Sequence, residues 1–483
     1  MLDDDIMLKF FFTSTFLYTL GSLFPTLSGL VLLFPYTQNL SIGDYGTLAI
    51  LISFTLFMQI VINYGIDNYI AIHYFNFNDN PLQLKRFIST MAIFLLFIGA
   101  TSIVLMALTG NLLLGYIFKD KGISFFPYCF MSVATAFFNV LFKTYTTLLI
   151  YLQKPLKFFL FNLVNFIATV LLSWILLDLY PHTLIGPMWG RLLSGLVIFL
   201  LSLSFYIREY GIGFDRTKLS GLQKFCTPIL AFGLLSWIIA YIFNYILKGT
   251  ENVGVFAFAM QCTLLIEFSQ NGLTSAINPK IYHLWKDRSL VKSTPEENKY
   301  HHLYTLVTIL LISLSILLLP LFVPLFVKKT DYYSSFTYLP YLCAGFAFRG
   351  LYNIFINPIY YFKKTNTLPR MLFISAIFQI VCGIVLIKYF GIWGAVWSSV
   401  LVKPIQVLLL WQSSRKLFAF KFNLFKMIFL PILYVTGVIV IYQFPGYSNS
   451  IMPGILQFLF ASLLILIAFK NELHSIPLLF KKT

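Results

Sequence analysis

The chain has 483 residues, 59% hydrophobic and 11% charged, with a formal net charge of +17. That balance excludes a water-soluble globular protein and reads as an integral membrane protein. It also excludes chemistry that needs a folded soluble domain, because the longest expected connector, Ile281 to His302, is only about 20 residues.

A membrane span needs roughly 20 apolar residues. Fourteen such stretches are predicted, near 7–33, 47–72, 88–109, 124–150, 158–178, 184–206, 225–247, 253–279, 303–327, 334–361, 369–389, 392–412, 425–443 and 453–470. The expected fold is therefore an all-α integral membrane bundle. Ahead of the first span lie Asp3, Asp4 and Asp5 without a basic n-region, so the first helix is expected to be an uncleaved anchor. Cys129, Cys226, Cys262, Cys343 and Cys382 fall in or beside predicted helices and form no C-x-x-C pair, as expected of small apolar packing residues.

The positive charge is not distributed as a nucleic-acid surface. With the N-terminus numbered as inside, 24 of the 34 Lys and Arg fall in inside segments, among them Lys9, Arg288, Lys363 and Lys482. Six fall outside: Lys119, Lys121, Lys248, Lys328, Lys329 and Lys388. This asymmetry follows the positive-inside rule and predicts an even number of spans with both termini cytoplasmic. The basic loops are read as topology signals beside anionic head groups.

The remaining four cations, Lys143, Arg191, Arg349 and Lys403, lie well inside predicted spans rather than at their ends. A cation at mid-span costs about 2.5 kcal/mol or more, so it usually faces water or a partner. Four of one sign predict a cavity for something anionic. Arg349 and Lys403 rank first, being nearest mid-span, then Lys143, which can partly snorkel, then Arg191, nearer the outer surface.

Polar residues recur at helical spacing on the same spans. The tenth span carries Arg349, Asn353 and Asn357, flanked by Tyr352 and Tyr360; the eighth carries Thr263, Glu267, Gln270, Asn271, Thr274 and Asn278. The fourth carries Asn139, Lys143 and Thr147; the twelfth, Ser399, Lys403 and Gln406. The first carries Thr15, Thr19, Ser22 and Thr26; the sixth, Arg191, Ser194 and Ser202. These stripes line a shared wet cavity or hydrogen-bond between helices in a dry bundle. Glu267 is the candidate for a coupling-ion site, the alternative being a structural pair with a Lys or Arg; Asp67 is read as interfacial. Pro25, Pro228, Pro279, Pro358 and Pro404 favour kinks.

An internal repeat is visible. Asp44-Tyr45-Gly46-Thr47-Leu48-Ala49 matches Asn252-Val253-Gly254-Val255-Phe256-Ala257 at an offset of 208, and Gly186-Pro187-Met188-Trp189 matches Gly394-Ala395-Val396-Trp397 at the same offset. Tyr151-Leu152-Gln153-Lys154 matches Tyr361-Phe362-Lys363-Lys364 at 210. The expected organisation is an N-lobe of six helices over 1–221, a C-lobe of six over 222–415, and two further helices with a tail over 416–483. Lobes of equal orientation are expected to hold substrate between them.

The run Pro35-Tyr36-Thr37-Gln38-Asn39-Leu40-Ser41-Ile42-Gly43-Asp44-Tyr45-Gly46, read as the first connector, resembles the element after helix 1 of the polysaccharide flippase (Wzx-type) family, within the multidrug/oligosaccharidyl-lipid/polysaccharide exporter superfamily. Phe225-Cys226-Thr227-Pro228 before Trp237, then Glu251-Asn252-Val253-Gly254-Val255-Phe256, is similar to that family's helix 7–8 signature, and Gly391-Ile392-Trp393-Gly394-Ala395 to its element at helix 12. The family often has an Asp in helix 7; Asn244 stands near that place, so that carboxylate's role does not carry over. The resemblance implies ion-coupled alternating access that moves a polyprenyl-diphosphate-linked oligosaccharide across the plasma (inner) membrane. It implies H+ or Na+ as the coupling ion and glycan polymerase or export proteins as partners. A diphosphate needs Lys or Arg in a wet cavity, and Tyr241, Tyr245, Tyr352 and Tyr360 are candidates for sugar contacts.

Three alternatives remain. A small-molecule cation antiporter of the same superfamily would be expected to have an acidic cavity. A lipid II-type flippase would share the basic one. A membrane glycan polymerase, ligase or glycosyltransferase would need a sizeable outer loop or an acidic donor-sugar motif. The sequence shows no cofactor motif, nucleophile–base pair or phosphate loop. His73, His182, His283, His301, His302 and His474 form no metal-ligand spacing.

Overall fold

The computed structural model describes residues 2–77, 80–117, 121–286, 294–362, 364, 367–443 and 451–470, with side chains described outside 2–15, 75–76, 116–117, 279, 283 and 286. Lys119, Arg288, Lys363, His474 and Lys482, and the side chains of Lys9, Thr15, Pro279 and His283, lie outside the described residues. Among the described residues there is no β-sheet, and thirteen helices are long and apolar enough to cross a membrane. A shorter apolar helix, Met452–Ala468, stands where the fourteenth span is expected.

The chain divides into two compact units, Met1–Gly254 and Val255–Thr483. The first contains α1 (Leu2–Asn39), α2 (Ile42–Asn63), α3 (Ile66–Phe77), α4 (Pro81–Ile117), α5 (Phe130–Tyr151), α6 (Pro155–Leu179), α7 (Ile185–Tyr210), α8 (Leu222–Tyr241), the short α9 (Phe243–Ile246) and the start of α10 (Thr250–Lys286). The second contains the rest of α10, α11 (Pro295–Phe326), α12 (Leu339–Ala344), α13 (Arg349–Tyr361), α14 (Leu368–Phe390), α15 (Ile392–Ser414), α16 (Leu430–Gln443) and α17 (Met452–Ala468).

Most boundaries fall within a few residues of expectation, and the departures have local causes. The expected first connector is largely helix: α1 runs through Pro35 to Asn39. Its last turn is held by Thr37 Oγ1 on the Leu33 carbonyl at 2.9 Å and Asn39 Nδ2 on the Pro35 carbonyl at 3.1 Å. Only Leu40 and Ser41 separate α1 from α2. Ser41 caps α2 by accepting from the Asp44 amide at 3.1 Å, and its hydroxyl donates to Asp44 Oδ2 at 2.6 Å, a reciprocal N-terminal cap. The expected second span breaks in two because Tyr64 and Gly65 adopt φ of 50° and 82°. The expected long connector shortens, since α10 reaches Lys286 and α11 starts at Pro295.

Glycines set the close helix contacts. A Cβ on Gly46 would lie 1.9 Å from the Thr250 carbonyl oxygen, and one on Gly254 2.0 Å from that of Ile42. The two positions matched by the repeat are thus both sites of backbone-to-backbone approach. The same holds at the second match: Gly186 abuts the Leu176 carbonyl and Gly394 the Leu386 carbonyl, with Cβ distances of 2.6 and 2.3 Å. In the second unit, α16 and α17 are tied to α11 by a buried triangle. Ser313 Oγ donates to Tyr434 OH (3.0 Å), which donates to Gln457 Oε1 (3.3 Å), while Gln457 Nε2 donates to the Ser313 carbonyl (2.7 Å).

Candidate functional site: a charged cluster at mid-span

Two of the polar stripes mesh. Arg349 opens α13 and reaches α10 twice: Nη1 to Glu267 Oε1 at 3.0 Å and Nη2 to Asn271 Oδ1 at 2.6 Å. Farther along, Asn353 Nδ2 donates to Thr274 Oγ1 and to Tyr304 OH, both at 2.8 Å. Then Asn357 Nδ2 donates to Asn278 Oδ1 at 2.9 Å, and Tyr282 OH donates to Asn357 Oδ1 at 3.1 Å. Partners advance by three or four residues together on both helices, so α10 and α13 run parallel and in register. Asn357 is buried, whereas Arg349 and Glu267 keep 27% and 41% of their side chains exposed.

Lys403 joins the exposed end of this ladder from α15. Its ammonium stands 3.6 Å from the Phe346 ring centroid and within electrostatic reach of Arg349 and Glu267. A Cβ on Gly345 would approach Nζ to 3.2 Å. Arg349, Glu267 and Lys403 each fall near the midpoint of their spans, Leu339–Tyr361, Thr250–Tyr282 and Ile392–Ser414. The cluster therefore carries two cations against one carboxylate at mid-span. Gln406 is half-buried on the same helix and joins none of these bonds.

Sequence reasoning missed the break that shapes this cluster. The tenth span is one predicted helix, but Gly345–Phe348 is a 3-10 turn between α12 and α13. The Phe346 carbonyl accepts the Arg349 amide in the tighter turn, and buried Gln270 donates to the same carbonyl at 3.0 Å, tying the turn to α10. Mid-helix 3-10 stretches often mark functional hinges, and the only sequence signal here is Gly345. Tyr304 of α11, which ties the ladder to a third helix, was also missed, although His301, Thr305 and Thr308 on the same stretch of helix were a polar signal.

The first unit holds Lys143, Asn139 and Arg191, on α5 and α7. Lys143 pairs with Asp67 at 3.4 Å, the lysine 57% and the aspartate 8% exposed. Asp67, read as interfacial, is buried at the start of α3. Arg191 is half-buried on α7, and its Nε is buried with no hydrogen-bond partner among the described residues. Asn139 is half-buried and faces α7 one turn further on, at Gly195. Among the tyrosines, Tyr245 is engaged by Ser53 Oγ at 3.1 Å, whereas Tyr360 is exposed. Many serines and threonines of the stripes bond their own helix, as Ser22, Ser194 and Thr263 do, which is the dry reading for those residues. The cysteines are free thiols, four of them buried. Among the described residues no group of His, Cys, Asp or Glu could hold a metal ion.

Comparison with known proteins now places this architecture. A family model described as polysaccharide biosynthesis protein matches residues 39–296, more than half of the chain. No curated protein is significantly similar to it. Among solved structures, the lipid II flippase MurJ in an inward closed conformation is similar at a TM-score of 0.71 and 16% identity, covering 94% of this chain and 99% of that one. An inward-facing multidrug resistance MATE family transporter of the MOP superfamily follows at 0.64 and 14%, covering 82% and 94%. A mutant of the Vibrio cholerae MATE transporter VcmN stands at 0.59 and 14%, covering 86% and 98%. These likenesses show the fold. The resemblance read from the Pro35–Gly46, Phe225–Phe256 and Gly391–Ala395 motifs is borne out: the chain is a multi-pass membrane protein that belongs to the polysaccharide biosynthesis protein family, built on the fold shared by MurJ and the MATE transporters.

Proposed function

We propose that the chain is a plasma-membrane flippase that moves a polyprenyl-diphosphate-linked oligosaccharide by alternating access, with H+ or Na+ as coupling ion. The observation that carries this reading is the mid-span cluster of Arg349 and Lys403 with Glu267, two basic side chains to one acidic, in which the Arg349–Glu267 pair is partly exposed. Charges of that exposure do not face acyl chains at mid-bilayer, so they line water. Two cations attract an anion and repel a cationic drug. A guanidinium matches phosphate oxygens in a two-pronged fashion, while an ammonium acts as a point charge.

Coupling follows from the pair itself. A diphosphate that takes the Arg349 guanidinium releases Glu267, and the freed carboxylate binds H+ or Na+. When the carrier leaves, Arg349 returns to Glu267. Gln406, on the helix that carries Lys403, contributes a secondary polar contact in this scheme. A lipid II-type substrate is the second reading, favoured by the likeness to MurJ over 94% of the chain, since it is also a polyprenyl diphosphate.

The test is complementation of a deletion strain with Arg349→Ala and Lys403→Ala, surface glycan and membrane protein levels being measured together. Both variants are expected to insert normally and to reduce export at least about tenfold. Full export by either removes the cluster from substrate binding. Loss of one surface polysaccharide with normal growth favours the first substrate; rescue of a strain depleted of its lipid II flippase favours the second.

A further inference from the structure

A second charged feature lies in the first unit, outside the mid-span cluster. Helix α7 ends at Gly211, whose φ of 73° turns the chain and whose amide closes onto the Ile207 carbonyl. The following residues fold back on the first turns of α4 and are pinned by two buried hydroxyls. Ser89 Oγ donates to the Gly211 carbonyl at 3.1 Å and accepts from the Gly213 amide at 2.8 Å. Thr90 Oγ1 accepts from the Asp215 amide at 3.0 Å. Ser89 and Thr90 are 3% and 0% exposed, so this linker is a fixed wall.

Between wall and helix opens a pocket of about 740 Å³, within the span of about 300–1,000 Å³ usual for small-molecule sites. Lys85 and Arg86 line it from α4 and Arg216 from the linker. The acid on its rim is turned inward: Asp215 Oδ1 accepts from the Thr217 hydroxyl at 2.6 Å and the Thr217 amide at 3.0 Å. Those two bonds, the hydroxyl's first, with the nearby charges of Lys218 and Arg86 as lesser causes, hold the Asp215 carboxyl below its ordinary range. Lys218 turns aside to lie 4.2 Å from the Phe77 ring centroid. Among the described residues, none of Lys85, Arg86 and Arg216 is in a salt bridge. The three cations thus face an open volume where α4 begins and α7 ends, the level at which lipid head groups lie.

We propose that this pocket binds a phosphate group, either in the head group of an anionic phospholipid or on a soluble phosphorylated molecule. Two guanidinium groups and an ammonium suit a multi-oxygen anion, and basic pockets at helix ends on the membrane surface are lipid-recognition sites. This site stands apart from the mid-span cluster and does not rest on the transport reading.

The test compares the full chain with Lys85→Gln/Arg86→Gln/Arg216→Gln and with a control of equal charge loss at exposed positions elsewhere, Lys154→Gln/Lys224→Gln/Arg370→Gln. Native mass spectrometry after extraction from phosphatidylglycerol-containing nanodiscs counts retained lipid. Thermal unfolding in lipid-free detergent with inorganic pyrophosphate probes soluble phosphate. The proposal expects about tenfold loss of retained phosphatidylglycerol, or loss of pyrophosphate stabilisation, in the pocket variant only. The first result assigns the lipid as source and the second the soluble molecule. Equal losses in both variants, or no loss in the pocket variant, overturn the site.

Discussion

At the scale of single residues, the account turns on where a side chain has room and where a charge has a partner. Gly254 and Gly272 lie on one helix in opposite circumstances. A Cβ on Gly254 would collide with the Ile42 carbonyl, whereas one on Gly272 meets nothing within 4 Å. Gly254→Ala is expected to lose about 1–3 kcal/mol, seen as a lower thermal midpoint and poor yield of monodisperse protein. Gly272→Ala is expected to be neutral or slightly stabilising; equal behaviour of the two would refute the packing. For the Arg349–Glu267 pair, partial exposure limits the interaction to about 1 kcal/mol. A double-mutant cycle with Arg349→Gln and Glu267→Gln on thermal stability is expected to return a coupling of that order. Zero coupling would mean that the pair is not formed in the protein.

At the scale of elements, the 3-10 turn and the buried triangle make separate predictions. Gly345→Ala places a methyl against the Lys403 ammonium and is expected to lower transport without lowering protein level. If Lys403 is the group displaced, the same change in a Lys403→Met background adds no further loss in the export assay; an additive loss would point elsewhere. Gln457→Leu removes both arms that join α17 to Ser313 and Tyr434, leaving the buried Tyr434 hydroxyl without its acceptor. The expected cost is about 1–3 kcal/mol per unsatisfied group, read as earlier proteolysis or lower thermal stability. A wild-type midpoint would contradict that role for the triangle.

Much of this element-level order was legible beforehand, and the reasons are physical. Span positions follow from hydropathy, because lipid admits only helices with satisfied backbones. The stripes on α10 and α13 were visible as three- and four-residue spacings, and their meshing explains the spacing: Asn353 and Asn357 stand one turn apart because Thr274 and Asn278 do. What spacing could not reveal was which distant helix completes a contact. Asp67 looked like a helix-end acid until the Tyr64–Gly65 break brought it to Lys143. Glu267 carried two equal readings, and spacing could not say that Arg349 would stand beside it. The run from Pro35 was read as the first connector, yet side-chain bonds from Thr37 and Asn39 sustain the last turn of α1.

At the scale of the whole molecule, composition, family and fold converge on a multi-pass membrane protein of polysaccharide biosynthesis, and the transport reading rests on the charge of one mid-span cluster. The most direct measurement is translocation of a fluorescent short-chain polyprenyl diphosphate disaccharide in proteoliposomes, comparing wild type with Arg349→Gln/Lys403→Gln and with Arg349→Lys. The wild type is expected to expose the probe to the opposite leaflet, the double variant to fall to the rate of empty liposomes, and Arg349→Lys to retain part of the activity. Unchanged translocation by the double variant at equal reconstitution would contradict the claim that these two cations carry the diphosphate.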